Sequence, residues 1–309
     1  MRRCKLVTGY TLQNYLVTEL GRRVVTEAVE AGEVLVIDQV ERDDRVSQAV
    51  RRMTADYTGT RVLITGSSRG IGFALARGFA RAGAAVVLNA RTEAQATDAR
   101  DRLQDELTAG DTGSAHTSVF DVTDTEAVQS EITRLEEQLG PIDVLVNNAG
   151  IQRRGPLEEM PVDDWNAVIA TNLTGPFVVS QAVARPMLGR GAGVIINICS
   201  VQSALVRPST ASYAASKTGL VGLTRSMCAE WAPRGLRVNG LAPGYLDTEL
   251  NSVLTSDVAF TEWITGRTPA RRWGEVDDIV GPALWLASDE ARFVNGQIIY
   301  ADGGITAVI

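Results

Sequence analysis

The sequence predicts a doubly wound α/β fold, a parallel sheet of about seven strands with helices on both faces. Three observations predict it. From residue 61 onward, short apolar runs alternate with segments of helical spacing. The runs are near-continuous Val, Ile and Leu rather than strictly alternating, which fits strands buried on both faces. The first run also leads directly into a glycine-rich turn that opens a helix.

Taken in order, the predicted strands are 61–65, 84–89, 115–120, 142–147, 193–200, 236–242 and 296–302. Between the first two, Ile71, Leu75, Gly78, Phe79 and Ala82 recur on one helical face. Strand, glycine turn and helix in succession are the opening unit of a Rossmann fold. We assign it to residues 59–309. Residues 1–58 fall outside the alternation and are too short for an independent core. They read as an N-terminal extension whose role the sequence leaves open.

Composition narrows the function. With 45% hydrophobic and 22% charged residues, the 309-residue chain reads as soluble and globular. A net charge of −7 and no polybasic run argue against a nucleic-acid partner. No run of about 18 apolar residues is present, which argues against a membrane span. The first residues lack the apolar core of a signal peptide. Cys4, Cys199 and Cys228 have no paired spacing, so a reducing compartment, the cytoplasm, is expected. The single histidine, His116, argues against a histidine-based triad or a multi-histidine metal site.

The turn "TGSSRGIG" (65–72) carries the first chemical expectation. Backbone amides and a helix N-terminus must approach a pyrophosphate there, and side chains would block the way. Gly66, Ser68, Arg69, Gly70, Ile71 and Gly72 are therefore candidate cofactor contacts. An acidic residue after the second strand would hold a free ribose diol. This chain has Ala90-Arg91 instead, with Arg69 inside the turn. Two guanidiniums suit a 2′-phosphate, so NADP(H) is expected in preference to NAD(H).

Only Lys5 and Lys217 are lysines, against 28 arginines. Lys217 lies four residues after Tyr213, on the same helical face. A phenol is a poor base at neutral pH, and an adjacent cation favours its ionised form. Ser200, at the end of a predicted strand, can hydrogen-bond a substrate carbonyl. Together these residues suggest an acid–base centre.

The motifs "TGSSRGIG", "NNAG" (147–150), Asn172, "S…YAASK" (200–217) and "PGYLDT" (243–248) resemble the short-chain dehydrogenase/reductase superfamily. That resemblance covers the chain from about residue 59 and leaves residues 1–58 unmatched. It implies a catalytic tetrad of Asn172, Ser200, Tyr213 and Lys217. In it Tyr213 is acid or base, and Lys217 holds the nicotinamide ribose and depresses the Tyr213 pKa. Asn172 supports a proton relay through water and Lys217. It also implies cofactor contacts by Asp121 and Val122 at the adenine and by Asn148, Ala149 and Gly150. Pro243, Gly244, Leu246 and Thr248 would lie around the carboxamide. A homotetramer is implied as well; the stretches "LTRSMCAEW" and "ALWLAS" would bury against copies or belong to the core.

Segments such as "NNAGIQRRGPLEEM", "YAASKTGLVGLTRSMCAEWA" and "RTPARRWGE" resemble members that interconvert 5-keto-D-gluconate and D-gluconate. A small sugar-acid substrate fits Arg153 and Arg154 after "NNAG", with Arg154 as the candidate carboxylate clamp. The alternatives are reduction of another sugar acid, a polyol or a 3-ketoacyl thioester. A non-catalytic dinucleotide sensor is the alternative of a different class.

Overall fold

A computed structural model of the chain describes residues 56–308, other than Ala109. Residues 1–55, which hold most of the expected extension together with Cys4 and Lys5, lie outside the described residues. One compact unit begins at Tyr57. The Tyr57 ring meets Phe79 edge-on at 5.1 Å, and its hydroxyl donates to the Leu284 carbonyl.

Seven strands form a single parallel sheet in the order β3-β2-β1-β4-β5-β6-β7. They are β1 Arg61–Ile64, β2 Ala85–Ala90, β3 Ser114–Val119, β4 Val144–Asn147, β5 Gly193–Ile198, β6 Leu236–Pro243 and β7 Ile298–Ala301. The chain reverses direction across the sheet between β1 and β4, and ligands of such sheets bind at the carboxyl ends of the strands there. Each expected strand is present with its ends shifted by no more than two residues. The fifth stops at Ile198 because Ser200 leaves the ladder to cap a turn, its Oγ accepting from the Gln202 amide at 3.1 Å.

The helices used below are α1 Gly70–Arg81, α2 Glu93–Glu106, α3 Thr125–Leu139, α4 Val162–Ile169, α5 Gly175–Arg190 and α6 Ala211–Trp231. They continue with α7 Ser252–Thr255, α8 Val258–Arg267 and α9 Val280–Ala287. Leu63, Leu145, Ile195 and Val238 pack with Ile132, Leu135, Val183 and Met187 from α3 and α5. Each such side chain stabilises the fold by about 1.5–3 kcal/mol. That layer fixes the strand ends above which the site is built.

A π-turn, Ala170–Thr174, joins α4 to α5. The resulting 29-residue helical stretch, Val162–Arg190, has a window apolar enough by length and composition to cross a membrane. Half of that window is buried inside the fold, so packing against the sheet accounts for its apolarity. The expectation based on uninterrupted apolar runs missed this stretch because Asn172, Gln181 and Arg185 interrupt it.

Candidate active site

The glycine turn is held open by side chains beneath it. Asn89 of β2 accepts from the Gly66 amide at 3.0 Å and donates to the Phe120 carbonyl at 3.1 Å. Thr65 Oγ1 accepts from the amides of Asn148 and Ala149 at 3.0 and 3.1 Å. Asn148 Nδ2 donates to the Thr65 and Gly66 carbonyls. Turn and β4 end are thus locked edge to edge. A Cβ on Gly72 would lie 2.5 Å from both Asn148 Nδ2 and the Gly66 carbonyl, so α1 can approach only without one. Gly70 differs: its φ is +56° and a Cβ there would meet nothing within 4 Å. The Gly70 position faces open space at the start of α1, whose first turn carries no acidic residue. Helix amides and a positive dipole end face a cradle shaped for a pyrophosphate, so the residues fit a dinucleotide.

The remaining cofactor candidates line the same carboxyl edge. Ser68, Ile71, Asn148 and Ala149 are partly buried, and Gly150 is exposed. Asp121 lies just beyond β3, where its Oδ1 accepts from the Thr123 amide and hydroxyl at 2.9 and 2.7 Å. Val122 is buried in the main core. Arg91 is exposed just past β2. Arg69 is turned toward Glu249, at 2.7 Å across the turn. Pro243 ends β6, and the Gly244 amide donates to the Ala301 carbonyl at 3.0 Å. Leu246 is buried, its side chain filling the space beside Gly274, so any cofactor contact from it must come from the backbone. Thr248 is half-buried before a short turn.

The Ser200 side chain neighbours the Tyr213 phenol and acts on its titration. Burial pushes the Tyr213 phenol up to about 12. The Ser200 side chain and the Arg154 guanidinium pull it down, while Cys199 and Tyr245 add to the rise. Desolvation thus outweighs the lowering by Ser200 and Arg154, and the phenol stands above its ordinary value. Lys217, 4% exposed, donates through Nζ to the Ile198 carbonyl at 2.7 Å and lies 5.7 Å from the Tyr213 ring centre. Burial lowers its own pKa to about 8, against a raising influence from Cys199. Asn172 sits in the π-turn, fully buried. Its Oδ1 accepts from the Ile151 amide at 2.8 Å, and its Nδ2 donates to the Ile151 carbonyl and Ser216 Oγ. The Asn172 carboxamide clamps the β4 loop to the helix and donates to Ser216, not to Lys217.

The paired arginines are separated. Arg153 turns to Asp164 at 3.5 Å. Arg154 acts electrostatically on Tyr213 and Tyr245, and donates to Gln152 Oε1 at 3.1 Å. Sequence reasoning passed over Arg207 and Tyr245. Arg207 lies in the loop before α6, acting electrostatically on the Tyr245 phenol, with its guanidinium carbon 5.3 Å from the Phe260 ring centre. Its spacing of six residues before Tyr213 was the available signal, but "RPST" reads as an ordinary turn.

A glycine cradle at the crossover of a parallel sheet, facing a Ser, a Tyr and a buried Lys, defines a dinucleotide-binding protein with an acid–base centre. Residues 66–306 match the family described as enoyl-(acyl carrier protein) reductase. The chain is 50% identical over 249 residues to gluconate 5-dehydrogenase of Gluconobacter oxydans (strain 621H), spanning 81% of this chain and 95% of that protein. It is 46% identical over 251 residues to 5-keto-D-gluconate 5-reductase of Escherichia coli (strain K12), spanning 81% and 97%. A crystal structure of a gluconate 5-dehydrogenase from Burkholderia cenocepacia J2315, in complex with NADP and tartrate, superposes with a TM-score of 0.79. Its identity is 52%, covering 83% of this chain and 98% of that one. The chain belongs to the short-chain dehydrogenase/reductase family.

Proposed function

We propose that the protein is an NADP(H)-dependent oxidoreductase that interconverts 5-keto-D-gluconate and D-gluconate. The observation that carries this reading is that the Ser200 side chain and the Arg154 guanidinium both act on the Tyr213 phenol, with the buried Lys217 ammonium 5.7 Å from its ring centre. Acid–base and anion-binding groups meet at one point, beside a dinucleotide cradle. The relatives in Gluconobacter and Escherichia bear the names of this one conversion, read from its two ends.

A nicotinamide dinucleotide bound at the cradle supplies or accepts the hydride. The chain's residues do the rest. Tyr213 donates its proton to the substrate oxygen in reduction and removes it in oxidation. Ser200 orients that oxygen through its hydroxyl. Lys217 presents a buried positive charge next to the phenol and donors for ribose hydroxyls. Asn172 positions the β4 loop that carries Gln152 and Arg154, and so acts through others.

Preference for NADP(H) is supported by Arg91 and Arg69 and by the absence of an acid just after β2. Arg69 is paired to Glu249 in the structure, but an exposed pair is worth only about 0–1 kcal/mol. A 2′-phosphate can therefore displace the Glu249 carboxylate. The Burkholderia relative carries NADP. We also read the enzyme as a cytoplasmic homotetramer without nucleic-acid or membrane partners. The fully exposed Phe293 and the exposed Trp285 of "ALWLAS" support burial between copies, whereas Met227 and Trp231 of "LTRSMCAEW" pack into or against the core.

The test is a substrate panel with NADPH and NADH in parallel: 5-keto-D-gluconate, 2-ketogluconate, fructose and an acetoacetyl thioester. The expected outcome is highest kcat/KM for 5-keto-D-gluconate with NADPH. A higher value for the thioester or for fructose contradicts the substrate assignment.

A further inference from the structure

Arg207 is the second guanidinium at the substrate end of the site, and it is placed differently from Arg154. Arg154 is exposed and bonded to amides, Gln152 at 3.1 Å and Asn251 at 3.5 Å. Arg207 Nε and Nη2 are shut away from solvent and have no hydrogen-bond partner among the described residues. The two cations act on each other unfavourably, since Arg207 lowers the pKa of Arg154 after burial does. Neither forms an ion pair with a carboxylate among the described residues, whereas Arg153 beside them does.

A guanidinium held in this way is unfavourable unless an anion completes it. Two aromatic side chains flank it: the Tyr245 phenol, on which it acts electrostatically, and the Phe260 ring, whose centre lies 5.3 Å from Cζ. The two loops that carry the arginines are joined, the Gly155 amide donating to the Ser209 carbonyl at 3.3 Å. Three further buried polar atoms lie unpartnered on the same loops and the start of α6: Gln152 Nε2, Gln202 Oε1 and Ser212 Oγ. Gln202 is 8% exposed and its amide donates to Ser200 Oγ, which places it beside the acid–base centre. The set asks for one carboxylate and several hydroxyls on a short chain.

We propose that Arg207 binds the carboxylate of the substrate in bidentate fashion from the protein side, with Arg154 covering it from the solvent side. Arg207 then sets the preference for an acid over the corresponding polyol or ketose. In a six-carbon acid reacting at C5, the carboxylate is four bonds from the reacting carbon, so anchoring it places C5 at Tyr213. This rests on the sugar-acid reading given above.

The experiment compares 5-keto-D-gluconate with L-sorbose, which has the same skeleton with a hydroxymethyl group in place of the carboxylate. Full-length wild type, Arg207→Met and Arg207→Lys are assayed with NADPH. Loss of one partner of an enclosed charge pair predicts a KM for the acid raised about 30-fold or more in Arg207→Met. The acid-to-sorbose ratio of kcat/KM falls by about the same factor, and Arg207→Lys recovers part of it. A fluorescence titration with NADPH establishes that each variant is folded, and a misfolded Met variant is replaced by Arg207→Gln. A ratio within about threefold of wild type overturns the proposal. If wild type reduces neither compound, the activity reading fails and the clamp is tested by binding alone. Calorimetry of D-gluconate against D-glucitol on the NADP-loaded protein must then show an acid preference that Arg207→Met abolishes, and equal gluconate affinities overturn it.

Discussion

Tyr213 and Lys217 carry opposite consequences of the same burial. Desolvation raises the phenol to about 12 and lowers the ammonium to about 8, so each is pushed toward its neutral form. A protonated phenol is the acid that ketone reduction needs at neutral pH. Alcohol oxidation needs the phenolate, whose share grows as pH approaches 12. Gluconate oxidation is therefore expected to rise with pH from 7 to 10, less steeply once Lys217 loses its charge above about 8. A pH–kcat/KM profile measured in both directions checks this; a flat oxidation limb contradicts it. Lys217→Arg keeps the charge but must place a planar fork in a hole where Nζ reaches the Ile198 carbonyl at 2.7 Å. We predict at least about a 100-fold loss of kcat, within the range typical of acid–base catalysis. The Tyr213–Lys217 pairing was legible from spacing alone. The sign of the phenol's shift was not, because it depends on burial in the folded chain, with Cys199 and Tyr245 adding to the rise and Arg154 opposing it.

At the scale of elements, the glycine turn divides its labour between two positions. Gly72 lets α1 pack against β4, and Gly70 leaves room for a phosphate. A Cβ at Gly72 overpacks backbone, costing about 1–3 kcal/mol. For a chain of this size that lowers Tm by about 2–10 °C. Alanine at Gly70 adds about 1–2 kcal/mol of left-handed strain but clashes with nothing in the protein. Differential scanning calorimetry with NADPH titration is expected to separate them. Gly72→Ala loses Tm in the absence of cofactor, and Gly70→Ala loses NADPH affinity out of proportion to its smaller loss of Tm. The turn was legible because a strand precedes it and a helix follows. Its underpinning by Asn89 was not, since the Gly66–Asn89 bond spans 23 residues and one strand crossing. Arg207 escaped notice for the same reason: the loop path that brings it to Tyr245 has no local signature.

For the molecule as a whole, the sheet was readable strand by strand because parallel strands buried on both faces leave uninterrupted Val, Ile and Leu runs. Strand ends were less readable, as at Ser200, where a side-chain cap ends the ladder two residues early. The crossover between β1 and β4 gathers the glycine turn, the Asn148 loop, Ser200 and the α6 pair at one edge, and from this the assigned activity follows. The most direct test is the rate of NADPH oxidation with 5-keto-D-gluconate, measured for wild type and Tyr213→Phe with NADPH binding followed in parallel. The account predicts a wild-type rate at least about 1,000-fold above the variant, with the cofactor bound equally by both. A Tyr213→Phe protein that reduces 5-keto-D-gluconate at the wild-type rate would contradict it.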